Sequence, residues 1–167
     1  MSSNEHSFQS NQTKQITEPC TNASLAESAI FHDQSTLKGI HVLLVEDELD
    51  IAELLIVMLE GVGAHIMWAA LAEEALDALE HFQPDILICN VKLPDRNGDW
   101  LIQQIRAKEL GLPHHLPAIA VTSYSRDFTA KPLLLAGFDC FLSKLQDPHE
   151  LISTVARLLQ QSSNCFY

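Results

Sequence analysis

The chain is short of positive charge. Its 167 residues hold 10 Lys and Arg against 22 Asp and Glu, a formal net charge of −12. Nucleic acids and anionic membranes attract basic surfaces, so non-specific binding to either is argued against, though a local basic spot is not excluded. Long apolar runs are missing as well: no uninterrupted stretch reaches the length of a membrane span. No apolar segment follows a basic one at the N-terminus, so no secretory signal is expected. Cys20, Cys89, Cys140 and Cys165 form no C-x-x-C pair. No disulfide framework is expected, a reducing cytoplasm fits, and Cys89 and Cys140, lying in apolar runs, read as buried free thiols. Glycine is scarce, and Gly61-Val62-Gly63 lacks the further glycine and the Lys-Ser/Thr of known phosphate-binding loops. No Ser or Cys stands in a nucleophile-elbow context. His114-His115 reads as a solvated loop pair rather than a metal site, with no Cys or acidic partner close in sequence.

What is present is an ordinary globular balance, 47% hydrophobic and 19% charged. Residues 1–36 are rich in Ser, Asn, Gln and Thr, too polar to offset their ordering entropy, and read as a disordered extension. Within them Leu25 to Phe31 has a short helical pattern, more simply a transient helix than a docking peptide. Residues 161–167 read as a frayed tail, so one domain spans 37–160, with no room for an output domain after it. Inside it strands at about 40–45, 64–68, 86–90, 118–122 and 139–142 alternate with helices at about 49–60, 71–82, 99–110 and 148–159, plus a weak fourth helix before the last strand. Ile51, Leu54, Leu55, Met58 and Leu59 share one face of the first helix, and Leu71, Ala75, Leu76, Leu79 and Phe82 one side of the second. Asp147, Pro148 and Glu150 form a capping box for the last. Five strands alternating with five helices imply an α/β fold: a doubly wound, five-stranded parallel sheet with helices on both faces. Its strands read as continuous apolar runs, as doubly covered sheets require.

Polar residues stand at the carboxyl ends of four of these runs, where open parallel sheets place ligand sites. Val42-Leu43-Leu44-Val45 ends in Glu46-Asp47, and Ile86-Leu87-Ile88-Cys89 ends in Asn90. Ala118-Ile119-Ala120-Val121 ends in Thr122, and Cys140-Phe141-Leu142 leads to Lys144. Adjacent carboxylates suit Mg²⁺, but a solvated acidic turn capping the next helix is slightly the better reading of Glu46-Asp47 alone. Thr122 offers a hydroxyl and Lys144 a point charge to a phosphoryl group. Singly, each is ordinary surface chemistry; in this order and spacing the set is specific.

From about residue 38 to 159 the chain resembles a response-regulator receiver domain, similar to receivers attached to hybrid sensor kinases. The resemblance rests on Leu37 to Glu48, Leu93-Pro94-Asp95-Arg96-Asn97-Gly98, Val121-Thr122-Ser123-Tyr124 and Ala136-Gly137-Phe138-Asp139. It implies a flavodoxin-like, receiver-type sheet and a non-enzymatic part in two-component phosphorelay signalling, with a sensor histidine kinase or other signalling protein as partner. It also implies that Glu46 and Asp47 form a metal-binding acidic pair, joined by the Lys92 carbonyl. Asn90 falls on the phosphoacceptor, Thr122 and Lys144 on the phosphoryl-sensing hydroxyl and lysine, and Phe141 on the switch aromatic.

Three departures from the family pattern carry weight. Asn90 stands where the family has an aspartate; an amide oxygen lacks a full charge and is a poor nucleophile toward phosphorus. Mg²⁺ binding at Glu46, Asp47, Asn90 and Lys92 is expected to be weakened, while the amide can donate to Asp47 and relieve its repulsion with Glu46. Leu145 replaces a family proline, so a trans Lys144-Leu145 bond is expected. Pro132 falls inside the fourth helix, which is expected to begin near it and leave 125–130 irregular. These readings favour a stand-alone, atypical receiver acting as a protein-interaction module without phosphorylation at Asn90. An engineered Asp→Asn change in an ordinary receiver would give the same sequence. Other classes are a Mg²⁺-dependent phosphate-processing enzyme, which lacks an obvious nucleophile here, and a flavin-type binding module, whose phosphate loop Glu46-Asp47-Glu48 would oppose.

Overall fold

The computed structural model describes residues 36–123, 126–144 and 148–163. The Leu25 to Phe31 segment, Leu145 and the Asp147 cap lie outside those residues. Five strands, β1 (His41–Val45), β2 (His65–Ala69), β3 (Ile86–Asn90), β4 (Ala118–Thr122) and β5 (Cys140–Ser143), alternate with α1 (Leu49–Glu60), α2 (Ala72–Ala78), α3 (Gly98–Glu109), α4 (Arg126–Ala136) and α5 (Pro148–Ser163). All pairings are parallel, in the spatial order β2-β1-β3-β4-β5. The expected doubly wound sheet is therefore observed.

The pleat divides the strand residues between two cores. Leu43, Val45, Leu87, Cys89, Ala118, Ala120 and Phe141 face one side and pack with Ala72 and Ala75 of α2, Leu101, Ile102 and Ile105 of α3, and Leu133 of α4. Val42, Leu44, Ile86, Ile88, Ile119, Val121 and Leu142 face the other, against Leu55 and Leu59 of α1 and Leu151, Ile152, Val155 and Leu158 of α5. Every residue of β3 and β4 is buried, which explains their unbroken apolar runs. β2, at the sheet edge, is mostly exposed.

Four local expectations need correction. Leu54 of α1 is exposed, and Ala52 takes its place in the core, because the buried stripe centres on 52, 55 and 59. α2 ends at Ala78, short of Phe82, with residues 79–81 in a turn. α4 begins at Arg126, and Pro132 lies inside it. Pro132 is itself exposed, so its ring takes no place in the core, and the helix runs on past it to Ala136. Finally, Cys140 is disulfide-bonded, whereas Cys89 is a buried free thiol as expected. That bond departs from the all-thiol reading; sequence spacing carries no sign of such a pairing. No helix among the described residues is long and apolar enough to cross a membrane.

Candidate functional site

In the order β2-β1-β3-β4-β5 the direction of winding reverses between β1 and β3, and the crevice beyond the carboxyl ends of these strands is where such sheets bind ligands. Glu46 and Asp47 follow β1 directly, and Asn90 closes β3. β1 and β3 are hydrogen-bonded neighbours with Val45 opposite Cys89, so the three polar residues leave the sheet side by side. Thr122 ends β4 opposite Ser143 of β5, and the Lys144 backbone N–H donates to the Thr122 carbonyl at 2.7 Å. The strand-end residues picked out from sequence thus share one end of the sheet. Phe141 is buried in the core beneath them.

Asn90 is the hub. Its Nδ2 group donates to Asp47 Oδ1 at 2.8 Å and to the Lys92 carbonyl at 2.7 Å, with Glu46 Oε1 at 3.3 Å. Its Oδ1 accepts the Lys92 backbone N–H at 3.4 Å. Glu46, 1% exposed, also receives Lys144 Nζ at 2.9 Å and the Glu48 N–H at 3.1 Å. Lys144 reaches Glu48 Oε1 as well, at 2.8 Å. Burial pushes the Glu46 carboxyl above its ordinary range, and Lys144 and the Glu48 N–H only partly pull it back. Lys144 would be lowered by desolvation, but its contacts with Glu48 and Glu46 dominate and raise it. The Glu46 carbonyl accepts the Trp68 indole N–H at 2.9 Å, tying the acidic turn to the edge strand.

Gly98 fixes the wall below. A Cβ there would lie 2.6 Å from the Asn90 carbonyl oxygen and 3.0 Å from Cys89 Sγ, so only glycine lets α3 begin this close to the end of β3. Cys89 itself is no nucleophile: burial holds its thiol far above the ordinary range.

Sequence reasoning missed two features. Asp95, in the loop between β3 and α3, accepts the Ala72 and Glu73 N–H groups at 3.0 and 2.9 Å, capping α2 from a distant part of the chain. Its place within Leu93 to Gly98 was the only signal. At the opposite end of the sheet, His115 is an exposed loop residue as expected, but it has acidic partners. Its Nε2 lies 2.8 Å from Asp139 Oδ1 and its Nδ1 3.5 Å from Glu109 Oε2, because the fold brings the loop before β4 onto α3 and the turn before β5. Among the described residues no group of three or more His, Cys, Asp or Glu is placed to hold a metal.

The resemblance to receiver domains implies Mg²⁺ at this acidic cluster. Here Glu46, Asp47 and the Lys92 carbonyl supply hard oxygens, but they converge on an N–H donor. A cation and an amide nitrogen cannot share that point, so the arrangement observed does not fit the ion.

A doubly wound parallel sheet with an acidic turn, an amide, a hydroxyl and a lysine at its carboxyl end defines an α/β module with a polar pocket at its switch point. The response regulator receiver domain family matches residues 42–156, and the chain belongs to that family. It is 41% identical over 126 residues to an uncharacterised 14.6 kDa protein of Leptolyngbya boryana, covering 75% of this chain and 92% of that one. It is 31% identical over 121 residues to the alkaline phosphatase synthesis transcriptional regulatory protein PhoP of Bacillus subtilis, covering 72% of this chain and 49% of PhoP, so it spans about half of that relative. Among solved structures, a CheY-like response regulator receiver domain protein from Methanospirillum hungatei superposes with a TM-score of 0.65 at 25% identity, covering 75% of this chain and 97% of that one. The protein is therefore a receiver domain of two-component signalling.

Proposed function

We propose that this receiver works as a stand-alone protein-interaction module in a phosphorelay, with residues 37–160 as its working unit, and that it is not phosphorylated at Asn90. The observation that carries the reading is the orientation of the Asn90 amide, whose N–H groups are committed to Asp47 and Lys92. By family resemblance Asn90 stands at the phosphoacceptor position. Attack on phosphorus needs an anionic oxygen, and Asn90 Oδ1 is neutral and turned toward the Lys92 N–H. By the same resemblance Thr122 and Lys144 fall on the phosphoryl-sensing groups, but Lys144 is engaged with Glu46 and Glu48. The lever that ordinarily shifts a receiver between two states is then disconnected, and signalling runs through binding of a sensor kinase or another pathway protein. No catalytic step is assigned to the domain.

The test is incubation of the wild type and Asn90→Asp with acetyl phosphate and Mg²⁺, followed by intact mass. A phosphoryl adduct is expected only on Asn90→Asp. An adduct on the wild-type protein would overturn the reading.

A further inference from the structure

We infer that the Asn90 carboxamide takes the place of the divalent cation in this pocket, holding the acidic turn together without metal. The inference uses the same pocket as the proposed function but makes no use of its phosphorylation behaviour. Three oxygens from separate positions, Asp47 Oδ1, the Lys92 carbonyl and Glu46 Oε1, surround one nitrogen at 2.8, 2.7 and 3.3 Å. That is the convergence a hard cation would demand, at hydrogen-bond lengths rather than the ~2.0–2.1 Å of Mg²⁺–oxygen bonds. Neither carboxylate is left to repel the other unanswered: Asn90 Nδ2 serves Asp47, and Lys144 Nζ serves Glu46.

The orientation of the amide follows from its neighbours. Turned over, its oxygen would face Asp47 Oδ1 and the Lys92 carbonyl with no proton between them, and its NH₂ would meet the Lys92 N–H. Mg²⁺ would have to expel both N–H donors, draw the oxygens inward and force that reversed amide. A carboxylate at position 90 has no such orientation to defend and adds a third anion, so its pocket requires a cation. The same turn is thus closed by an amide in this chain and by a metal in the variant.

Side-chain amide NMR and thermal melting, each in EDTA and in millimolar MgCl₂, test this. In the wild type the Asn90 NH₂ signals are expected to exchange slowly with solvent and to stay unmoved by Mg²⁺, and the melting temperature to be the same in both buffers. Asn90→Asp is expected to melt lower in EDTA and to recover in Mg²⁺, binding the ion at least about tenfold more tightly than the wild type. Asn90→Ala is expected to melt lower in both buffers. A saturable Mg²⁺-dependent rise in wild-type melting, with loss of the protected Asn90 signals, would overturn the inference; the wild-type NMR decides even if a variant fails to fold. Binding of Mg²⁺ without phosphorylation would defeat this inference alone, and phosphorylation of the wild type would defeat the proposed function whatever the metal result.

Discussion

The two ends of the sheet both carry clustered charge, and they use it differently. At the amino end of β4 and β5, Arg106 of α3 is the centre. It donates to Glu109 at 2.8 Å, to Asp139 at 3.0 Å, and to the carbonyls of Gly137 and Leu116, each at 2.9 Å. The same acids accept backbone N–H groups, Leu116 on Glu109 and Ala118 on Asp139. Each acid there is answered by a cation and a backbone donor, an arrangement that ties three segments together and leaves nothing over for chemistry. At the carboxyl end the acids converge instead, on one neutral amide and one lysine. Convergence of like charges is what a binding site looks like, and here its centre is filled from within.

The largest expected effect separates the ends by burial. Lys144 and Glu46 are 6% and 1% exposed. Lys144→Met strands the buried Glu46 carboxylate, and a loss of about 3 kcal/mol or more in urea unfolding at neutral pH is expected. Its pH dependence has a definite sign. The Lys144 pKa is raised, so its contribution is fully present below the unfolded lysine value of about 10.4 and disappears as pH rises through the folded one. Glu46 is also raised, so the folded state takes up its proton more readily than the unfolded chain. Lys144→Met should therefore regain stability on mild acidification, as Glu46 becomes neutral. A deficit that stays constant from neutral to mildly acidic pH would mean that the buried pair is not what Lys144 stabilises.

Arg106→Leu attacks the other end, where the partners are more exposed and water can replace the lost donors. The expected loss is smaller, about 2 kcal/mol by urea unfolding. The Asn90 amide signals should not move, since the two clusters share no residue. A shift of those signals in Arg106→Leu would show that the ends are coupled through the sheet.

The same contrast explains what sequence made legible. β3 and β4 were readable to the residue because strands covered on both faces must be continuously apolar, and the polar residue that breaks each run marks the strand end and the pocket together. Asn90 and Thr122 follow from that rule, whereas Glu46, Asp47 and Lys144 stood out only as part of the set and through the family resemblance. The identity of their partners was less accessible: that Lys144 bridges Glu46 and Glu48 depends on how β5 ends against the turn after β1, nearly a hundred residues apart in sequence. The amino-end cluster was invisible for the same reason, since Arg106, His115 and Asp139 meet only once α3, the loop before β4 and the turn before β5 are folded together. α4 was misread because the local rule for Pro132 is strong, yet the helix runs on past that exposed residue to Ala136.

Asp95 offers the finest distinction, since it is a carboxylate beside the pocket that belongs to neither cluster. α2 is only seven residues long, and its N-cap residue, Leu71, has no side chain that can accept a hydrogen bond. Asp95 accepts the first two helical N–H groups in its place, while Glu74 accepts the Ala70 N–H at 3.1 Å. Desolvation works against its ionised form, but the N–H donors of Glu73, Ala72 and Arg96 outweigh it and hold Asp95 below the usual carboxylate range. Asp95→Ala is expected to cost about 1 kcal/mol at neutral pH by urea unfolding. Because the folded pKa is depressed, that contribution is present above the unfolded value of about 3.9 and is lost as pH falls through the lower folded one. Asp95→Asn keeps an acceptor oxygen and should recover most of the stability at neutral pH while losing the acid dependence. Equal losses in the two variants would show that charge at the α2 N-terminus, not the hydrogen bonds, is what Asp95 supplies.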